Sequence, residues 1–268
     1  MGCGQRKSVR LTDREPIDSL AFVAYQHPLV LVHGYGVRGF FWSALRTQLV
    51  DRFDCIHTPD FDFATVDQGE NAVVELCRQV RTECTAPIVL IGHSLGGVIS
   101  SLAAKRLSTD VVSHLVVIAS PFGTRVGRAF GPLTRLRFAL GLIGRAEMRA
   151  RFFGPDVPLD LQTQVFARAA EESDELKALG RQKRWFHTDA FPQPLAQRVL
   201  TIASAADRIV HHSETAAFSH ALGGDYHCFA KDDRIGHDDF GVYPPVAERT
   251  AAVVRRFLAA TATGPGGA

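Results

Sequence analysis

The chain has 268 residues, 46% of them hydrophobic and 22% charged, and its 30 Lys+Arg against 28 Asp+Glu leave a formal charge of +2. That balance excludes a disordered polymer, a collagen-like repeat and a disulfide-dense miniprotein. It also lacks the strong basic excess with which nucleic-acid-binding proteins meet phosphate, and a chain this long buries roughly three quarters of its unfolded surface, enough for one large domain with an insertion.

The first residues, Met1 to Pro16, are polar and contain no apolar stretch of the kind an export signal needs. No run approaches the ~20 apolar residues of a membrane span, so a cytoplasmic home is expected. Gly2-Cys3 followed by basic residues resembles an acylation signal, but Arg6 stands where the myristoylation pattern wants Ser or Thr. Residues 1–17 and 263–268 are expected to be flexible termini.

A core is expected to begin at about residue 25. Pro28–His33 is a β-branched run ending at Gly34, and Phe40–Val50 has apolar residues at helical spacing. Cys55–Phe63 reads as a second, weaker strand. Asn71–Cys84 reads as a helix with Val73, Val74, Cys77 and Val80 on one stripe. Pro87–Ile91 is a continuous apolar strand, followed by a helix over Leu95–Leu107. Val111–Ser120, Arg198–Ala203 and Tyr226–Phe229 complete the strands, and Pro244–Leu258 closes the chain as a helix with Pro in its tolerated first turn. Buried strands alternating with helices predict a mostly parallel central sheet flanked by helices. The rhythm breaks only between Pro121 and Pro194, which is rich in Leu, Phe and Arg at helical spacing and too long for a structureless loop. The expected organisation is therefore a core of 25–121 and 196–262 interrupted by a helical cap at 122–195, standing over the carboxyl ends of the strands, where open α/β sheets bind ligands.

The five cysteines, Cys3, Cys55, Cys77, Cys84 and Cys228, are odd in number and scattered without metal-ligand spacing. Neither a disulfide framework nor a zinc site is expected, and no cofactor or metal is called for. Cys77 and Cys84 are expected to share one buried helix face as small hydrophobes.

The strongest local signal is Gly92-His93-Ser94-Leu95-Gly96-Gly97, directly after one strand and directly before one helix. Small residues two before and two after a central serine let strand and helix approach through a strained turn. The turn lifts the Ser94 hydroxyl to the sheet edge, beside a helix N-terminus that favours developing negative charge. Acyl chemistry at a serine needs two N–H donors for the tetrahedral oxygen. The Leu95 N–H is one candidate, and the Tyr35 N–H in His33-Gly34-Tyr35-Gly36 is the other. A histidine must take the serine proton, and a carboxylate must hold its tautomer. Of eleven histidines, His237 sits in a loop between the last strand and the closing helix, with Gly236 giving it reach. His227, within the last strand, is its main rival, and His93 is expected to point elsewhere on the turn. His211, His212 and His220 are placed at the start of a helix. Asp207, in the loop after the preceding strand, is the expected carboxylate. The chain order Ser94, Asp207, His237 suits this architecture.

With these residues in view, the sequence resembles the α/β-hydrolase superfamily over about Pro28–Pro121 and Gln197–Leu258, through LVHGYG, IGHSLGG, SAADRIV and IGHDDF. Within it, the His-Gly pair and the GHSLGG run look most like bacterial lipases and esterases. The resemblance implies an α/β-hydrolase fold, Tyr35 and Leu95 as oxyanion donors, and Pro121–Pro194 as a cap or lid. An export signal, a calcium site and a disulfide, often found in secreted lipases, have no support here, which favours an intracellular esterase. The expected activity is serine hydrolysis of a small-molecule or lipid ester. Acyl transfer, carbon–carbon hydrolysis and cofactor-free haloperoxidase chemistry are the alternatives on the same scaffold, and a catalytically dead binding protein is a third class. Phe40, Phe41, Trp42 and His93 are candidates for the acyl pocket, with a core helix as the other reading of the aromatic run. Arginines of the insertion, among them Arg125, Arg128, Arg135, Arg137, Arg145, Arg149 and Arg151, could bring the cap to a membrane surface or simply face water.

Overall fold

The computed structural model describes residues 27–53, 55–123, 144–179 and 190–262. Both expected termini, Cys3 with its acylation pattern, and the insertion residues Arg125, Arg128, Arg135 and Arg137 lie outside the described residues.

Among the described residues six strands form one sheet: β1 (Leu29–Val32), β2 (Ile56–His57), β3 (Ile88–His93), β4 (Val112–Ile118), β5 (Arg198–Ser204) and β6 (Asp225–Phe229). Their spatial order is β2-β1-β3-β4-β5-β6, and every neighbouring pair is parallel. Parallel pairing requires a crossover between strands, which is why the β-branched runs of the sequence are separated by helices. The described helices are α1 (Ser43–Leu49), α2 (Val66–Glu83), α3 (Leu95–Arg106), α4 (Arg145–Phe152), α5 (Leu159–Ala167), α6 (Asp174–Leu179), α7 (His212–Leu222), α8 (Asp239–Val242) and α9 (Pro244–Ala262).

Side chains alternate across a strand, so each strand feeds two cores. Leu29, Leu31, Val89, Ile91, Val116 and Ile118 face one layer, which α1 and α9 close with Leu45, Leu49, Val254 and Phe257. Val30, Val32, Leu90, Leu115 and Val117 face the other, covered by Val73 and Val80 of α2, Val98 and Ile99 of α3, and Phe218 of α7. β1 and β3 are buried at every position. A slip of one residue would send half of these side chains to the wrong layer, so the register is fixed by burial on both faces.

Several boundaries differ from expectation for identifiable reasons. α2 starts at Val66 rather than Asn71 because Thr65 caps it, its hydroxyl accepting from the Gln68 N–H (3.1 Å) while Gln68 reaches back to the Ala64 N–H (2.9 Å). That is the reciprocal logic of a capping box. The strand expected over Cys55–Phe63 shrinks to Ile56–His57. Pro59 has no N–H to donate, and the following backbone turns inward, where the Phe61 N–H donates to His33 Nε2 (3.0 Å) and Asp60 accepts from the Gly39 N–H (2.7 Å). The helix expected from Phe40 opens as a 3₁₀ turn over Gly39–Trp42 and becomes α-helical only at Ser43. Cys77 is buried in the α2 stripe, whereas Cys84 lies past the helix end with its sulfur against Cys55, so the two do not share a face. His212 begins α7 and His211 caps it, but His220 falls in its last turn. Between β4 and β5 the described part of the insertion is helical, as α4, α5 and α6.

Candidate active site

β3 delivers the chain into a strained turn. Ser94 follows the strand with φ +51° and ψ −122°, and α3 begins at Leu95. A non-glycine residue in that region costs of order 1–3 kcal/mol and persists only where its surroundings over-determine it. Here the surroundings are backbone: a Cβ on Gly92 would strike the Gly96 carbonyl, and one on Gly96 would strike the carbonyls of Val32 and His33. The Ser94 N–H donates to the Ile118 carbonyl (2.9 Å), and the residue is half-buried at the carboxyl rim of the sheet.

The first loop abuts it. A Cβ on Gly34 would come within 3.0 Å of the Ser94 Cβ, so His33-Gly34-Tyr35-Gly36 lies directly against the serine. His33 braces that loop: its Nε2 accepts from Phe61, so Nδ1 carries the proton and donates to the Gly34 carbonyl (2.9 Å). Burial keeps this ring below the usual histidine range and thus neutral. Leu95 is the first residue of α3, where N–H groups have no intrahelical acceptor.

On the other side of the rim, His237 Nδ1 donates to Asp207 Oδ2 at 2.8 Å, both side chains almost wholly buried. The second Asp207 oxygen accepts from the Ile209 and Val210 N–H groups (2.7 and 3.0 Å). With its orientation fixed twice, the carboxylate holds His237 as the Nδ1–H tautomer and leaves Nε2 for proton exchange. Burial pulls this imidazole down, but Asp207, Asp238 and Asp239 outweigh it and hold the ring above the usual histidine range. His227 sits elsewhere, in β6 against Phe229. Among the described residues Ser94 Oγ forms no hydrogen bond to His237. Such bonds are often long in ligand-free sites and tighten in the reacting complex.

A model of the alpha/beta hydrolase family matches residues 29–257, from β1 into α9. The chain belongs to this family. Over 94 residues it is 32% identical to the pimeloyl-[acyl-carrier protein] methyl ester esterase of Aliivibrio fischeri, a stretch that is 34% of this chain and 36% of that protein. The match thus spans about a third of the relative's length. Among solved structures, a thermophilic esterase from Thermogutta terrifontis has a TM-score of 0.67 at 22% identity, covering 90% of this chain and 92% of its own. A bromoperoxidase from Bacillus anthracis has a TM-score of 0.69 at 16% identity, covering 88% and 93%. At these identities the likeness is one of fold, and the two proteins are named for different chemistry.

The same rim also contains residues that periodicity did not reveal. Asp238 and Asp239 follow the histidine and are both buried. Burial pushes the Asp238 carboxyl up to about 7 and the Asp239 carboxyl up to about 6. Asp239 accepts from the N–H groups of Gly154 (3.0 Å) and Gly236 (2.6 Å), tying the insertion to the histidine loop. The Asp238 N–H donates to the Phe152 carbonyl (2.9 Å), and the Phe152 ring stands edge-on over His237 at 6.0 Å. A second tie runs to the serine side: Glu172, itself buried, accepts from the Gly36 N–H (2.7 Å) and from Arg38 (3.0 Å), while the Ala170 N–H donates to the Gly36 carbonyl (2.9 Å). The one available signal was an acidic pair enclosed between Ile235 and Phe240, unusual for a solvated loop.

His93 does not point away from the site, as its place on the turn suggested. Its ring lies 4.7 Å from that of His237 and stacks on Phe41 at 4.5 Å, and its Nε2 donates to the His237 carbonyl (2.9 Å). Burial and the neighbouring His237 hold it well below the usual range, so it is a neutral wedge behind the His237 ring. Among the described residues, His93, His237 and Asp238 offer ligand atoms within 4.8 Å of one another, and an ion there would occupy a His237 nitrogen. Of the expected pocket residues, Phe41, Trp42 and His93 are enclosed and Phe40 alone is partly exposed. Phe40, with Trp42 behind it, walls a cavity of about 350 Å³ together with Arg46, Asp60 and Arg168; neither Ser94 nor His237 lines it. The Arg168 guanidinium covers the Phe40 ring at 4.4 Å.

Proposed function

We propose that this hydrolase cleaves carboxylic esters through an acyl-enzyme formed on Ser94. The observation that carries the reading is the buried 2.8 Å bond between His237 and Asp207, at the same rim as a serine held at positive φ. His237 Nε2 takes the Ser94 proton as Oγ attacks the ester carbonyl, then gives it to the departing alcohol. Water repeats the cycle in reverse and frees the acid. Asp207 stabilises the imidazolium in each half-reaction, and the N–H groups of Leu95 and Tyr35 receive the oxyanion. Donors of this kind are worth about 10²–10³ each in kcat, because they are already in place when charge develops.

The helical insertion acts as a cap, joined to the oxyanion loop through Glu172 and to the base loop through Asp239. Phe152 helps exclude water from His237, which strengthens the electrostatics of proton transfer. The name of the partial relative brings a methyl ester, with a small alcohol leaving, as the first substrate form to try. Among the described residues no helix is long and apolar enough to cross a membrane.

A chain-length series of p-nitrophenyl and methyl esters, assayed with wild type and Ser94→Ala, tests this function. Turnover by wild type and its loss in the variant are expected. Equal turnover by both would overturn the assignment, and product appearing chiefly as a new ester when an alcohol acceptor is added would make the enzyme a transferase.

A further inference from the structure

The edge of the sheet holds a second cluster of reactive side chains, not used in the reaction above. Cys55 immediately precedes β2, and Cys84 immediately follows α2. Their sulfur atoms lie 3.8 Å apart although the residues are 29 positions apart in the chain, and His57 Nε2 lies 3.4 Å from the Cys55 sulfur. Both cysteines are reduced and only partly buried. Cys77, in the α2 stripe, is enclosed, and burial pushes its thiol up to about 12. Odd cysteine number and irregular spacing gave no hint of the pair, because the fold alone brings the two sulfurs together.

We infer that Cys55 and Cys84 are a reversible disulfide site whose oxidant is a low-molecular-weight disulfide. His57 takes the proton of the Cys55 thiol. The thiolate attacks one sulfur of the small disulfide, breaking its S–S bond and releasing one thiolate, which is protonated. Cys84, losing its proton to solvent, then attacks the Cys55 sulfur of the mixed disulfide and expels the second small thiol. Two protein thiols are oxidised by two electrons, and one small disulfide is reduced to two thiols.

The position gives the bond a structural consequence. β2 is two residues long and pairs with β1 alone, through Leu29 and Val30. The segment just beyond it supplies the Phe61 N–H as donor to His33 and the Asp60 side chain as acceptor for the Gly39 N–H, so the shortest strand braces the loop that abuts Ser94. The Cys84 end is already held, with its N–H donating to the Val80 carbonyl (2.9 Å) and its carbonyl accepting from Arg81 (2.7 Å). A bond between them staples the edge strand to the end of α2. It closes a loop large enough to restrict the unfolded chain appreciably, equivalent to a rise in Tm of roughly 5–10 °C.

The test uses the full chain, reduced and then incubated with oxidised glutathione, quenched with an alkylating agent, digested and mapped without reduction. The expected result is a Cys55–Cys84 linked peptide, a Tm rise of that size reversed by dithiothreitol, and several-fold slower linkage in His57→Gln. Cys55→Ser and Cys84→Ser should each lack both the peptide and the Tm rise. Glutathione adducts on either cysteine without linkage, linkage to a different cysteine, or a linked protein with unchanged Tm would each overturn the proposal. None of these readouts depends on ester hydrolysis, so they stand or fall apart from the Ser94 mechanism.

Discussion

Replacing Asp207 by Asn changes one atom and tests the polarity of the whole relay. In the native arrangement one carboxylate oxygen accepts from two backbone N–H groups and the other accepts from His237 Nδ1. An asparagine keeps the first set only by placing its carbonyl oxygen there, which turns its NH₂ toward the imidazole. His237 must then accept at Nδ1 and carry its proton on Nε2, where it can no longer receive one from Ser94. The opposite flip sets an NH₂ group against two N–H donors in a buried site, where unpaired donors are costly. The wrong tautomer is expected to lower kcat by about 10⁴, equivalent to roughly 5 kcal/mol of transition-state stabilisation. KM should stay close to wild type, because the carboxylate faces the histidine and the backbone. Steady-state hydrolysis of the best p-nitrophenyl ester at pH 8 measures both constants, with circular dichroism confirming the fold. An Asp207→Asn enzyme within tenfold of wild-type kcat would refute the assigned tautomer and move the acid elsewhere.

Further outcomes follow from the same geometry. His237 must be neutral to act as base, and its acidic neighbours hold it above the ordinary 6.5, so the acid limb of kcat/KM should lie above that value and move down in Asp238→Asn; an unchanged or raised limb would contradict the electrostatics. Asp238 has a folded pKa of about 7 against an ordinary 3.8, so its contribution to stability is present below the lower value and lost as pH rises through the higher. That is at most roughly 4 kcal/mol, and the Tm of Asp238→Asn relative to wild type should therefore increase between pH 5 and 8; a flat or falling difference would argue against a buried carboxyl. Glu172→Ala removes two charge-assisted or backbone bonds from a buried acceptor and should cost about 2–3 kcal/mol in urea unfolding, with a raised KM as the Gly36 turn loosens. Gly96→Ala places a methyl group on the Val32 and His33 carbonyls and should lower stability by about 3 kcal/mol or more, read as a fall in Tm or in soluble yield; native stability would show that the turn has slack.

The parts of this protein that could be read directly were those where one physical demand dominates a stretch of sequence. Apolar runs such as Pro28–His33 and Pro87–Ile91 are buried on both faces, and no other use of such residues is common. The Gly92–Gly97 turn was equally open, because backbone contact on both sides admits only small residues there. Where several weak demands compete, the local pattern misled. Cys55–Phe63 has the composition of a strand, yet beyond His57 its backbone groups serve the neighbouring loop instead of a ladder. His93 is adjacent to Ser94 in sequence, which suggested divergence, but its ring packs behind His237, 144 positions further along. Glu172, Asp238 and Asp239 carry no periodic signal at all: each is defined by partners from another segment, Gly36 and Arg38 for the first and Gly154 for the last. Such cross-chain ties appear only once the fold has brought the segments together.

The central claim is that one serine, made nucleophilic by its histidine, carries the acyl group. A fluorophosphonate probe followed by peptide mass spectrometry examines it most directly. A single adduct on Ser94, lost in Ser94→Ala and greatly slowed in His237→Ala, is the outcome expected here; labelling at another residue, or undiminished labelling of Ser94→Ala, would contradict it.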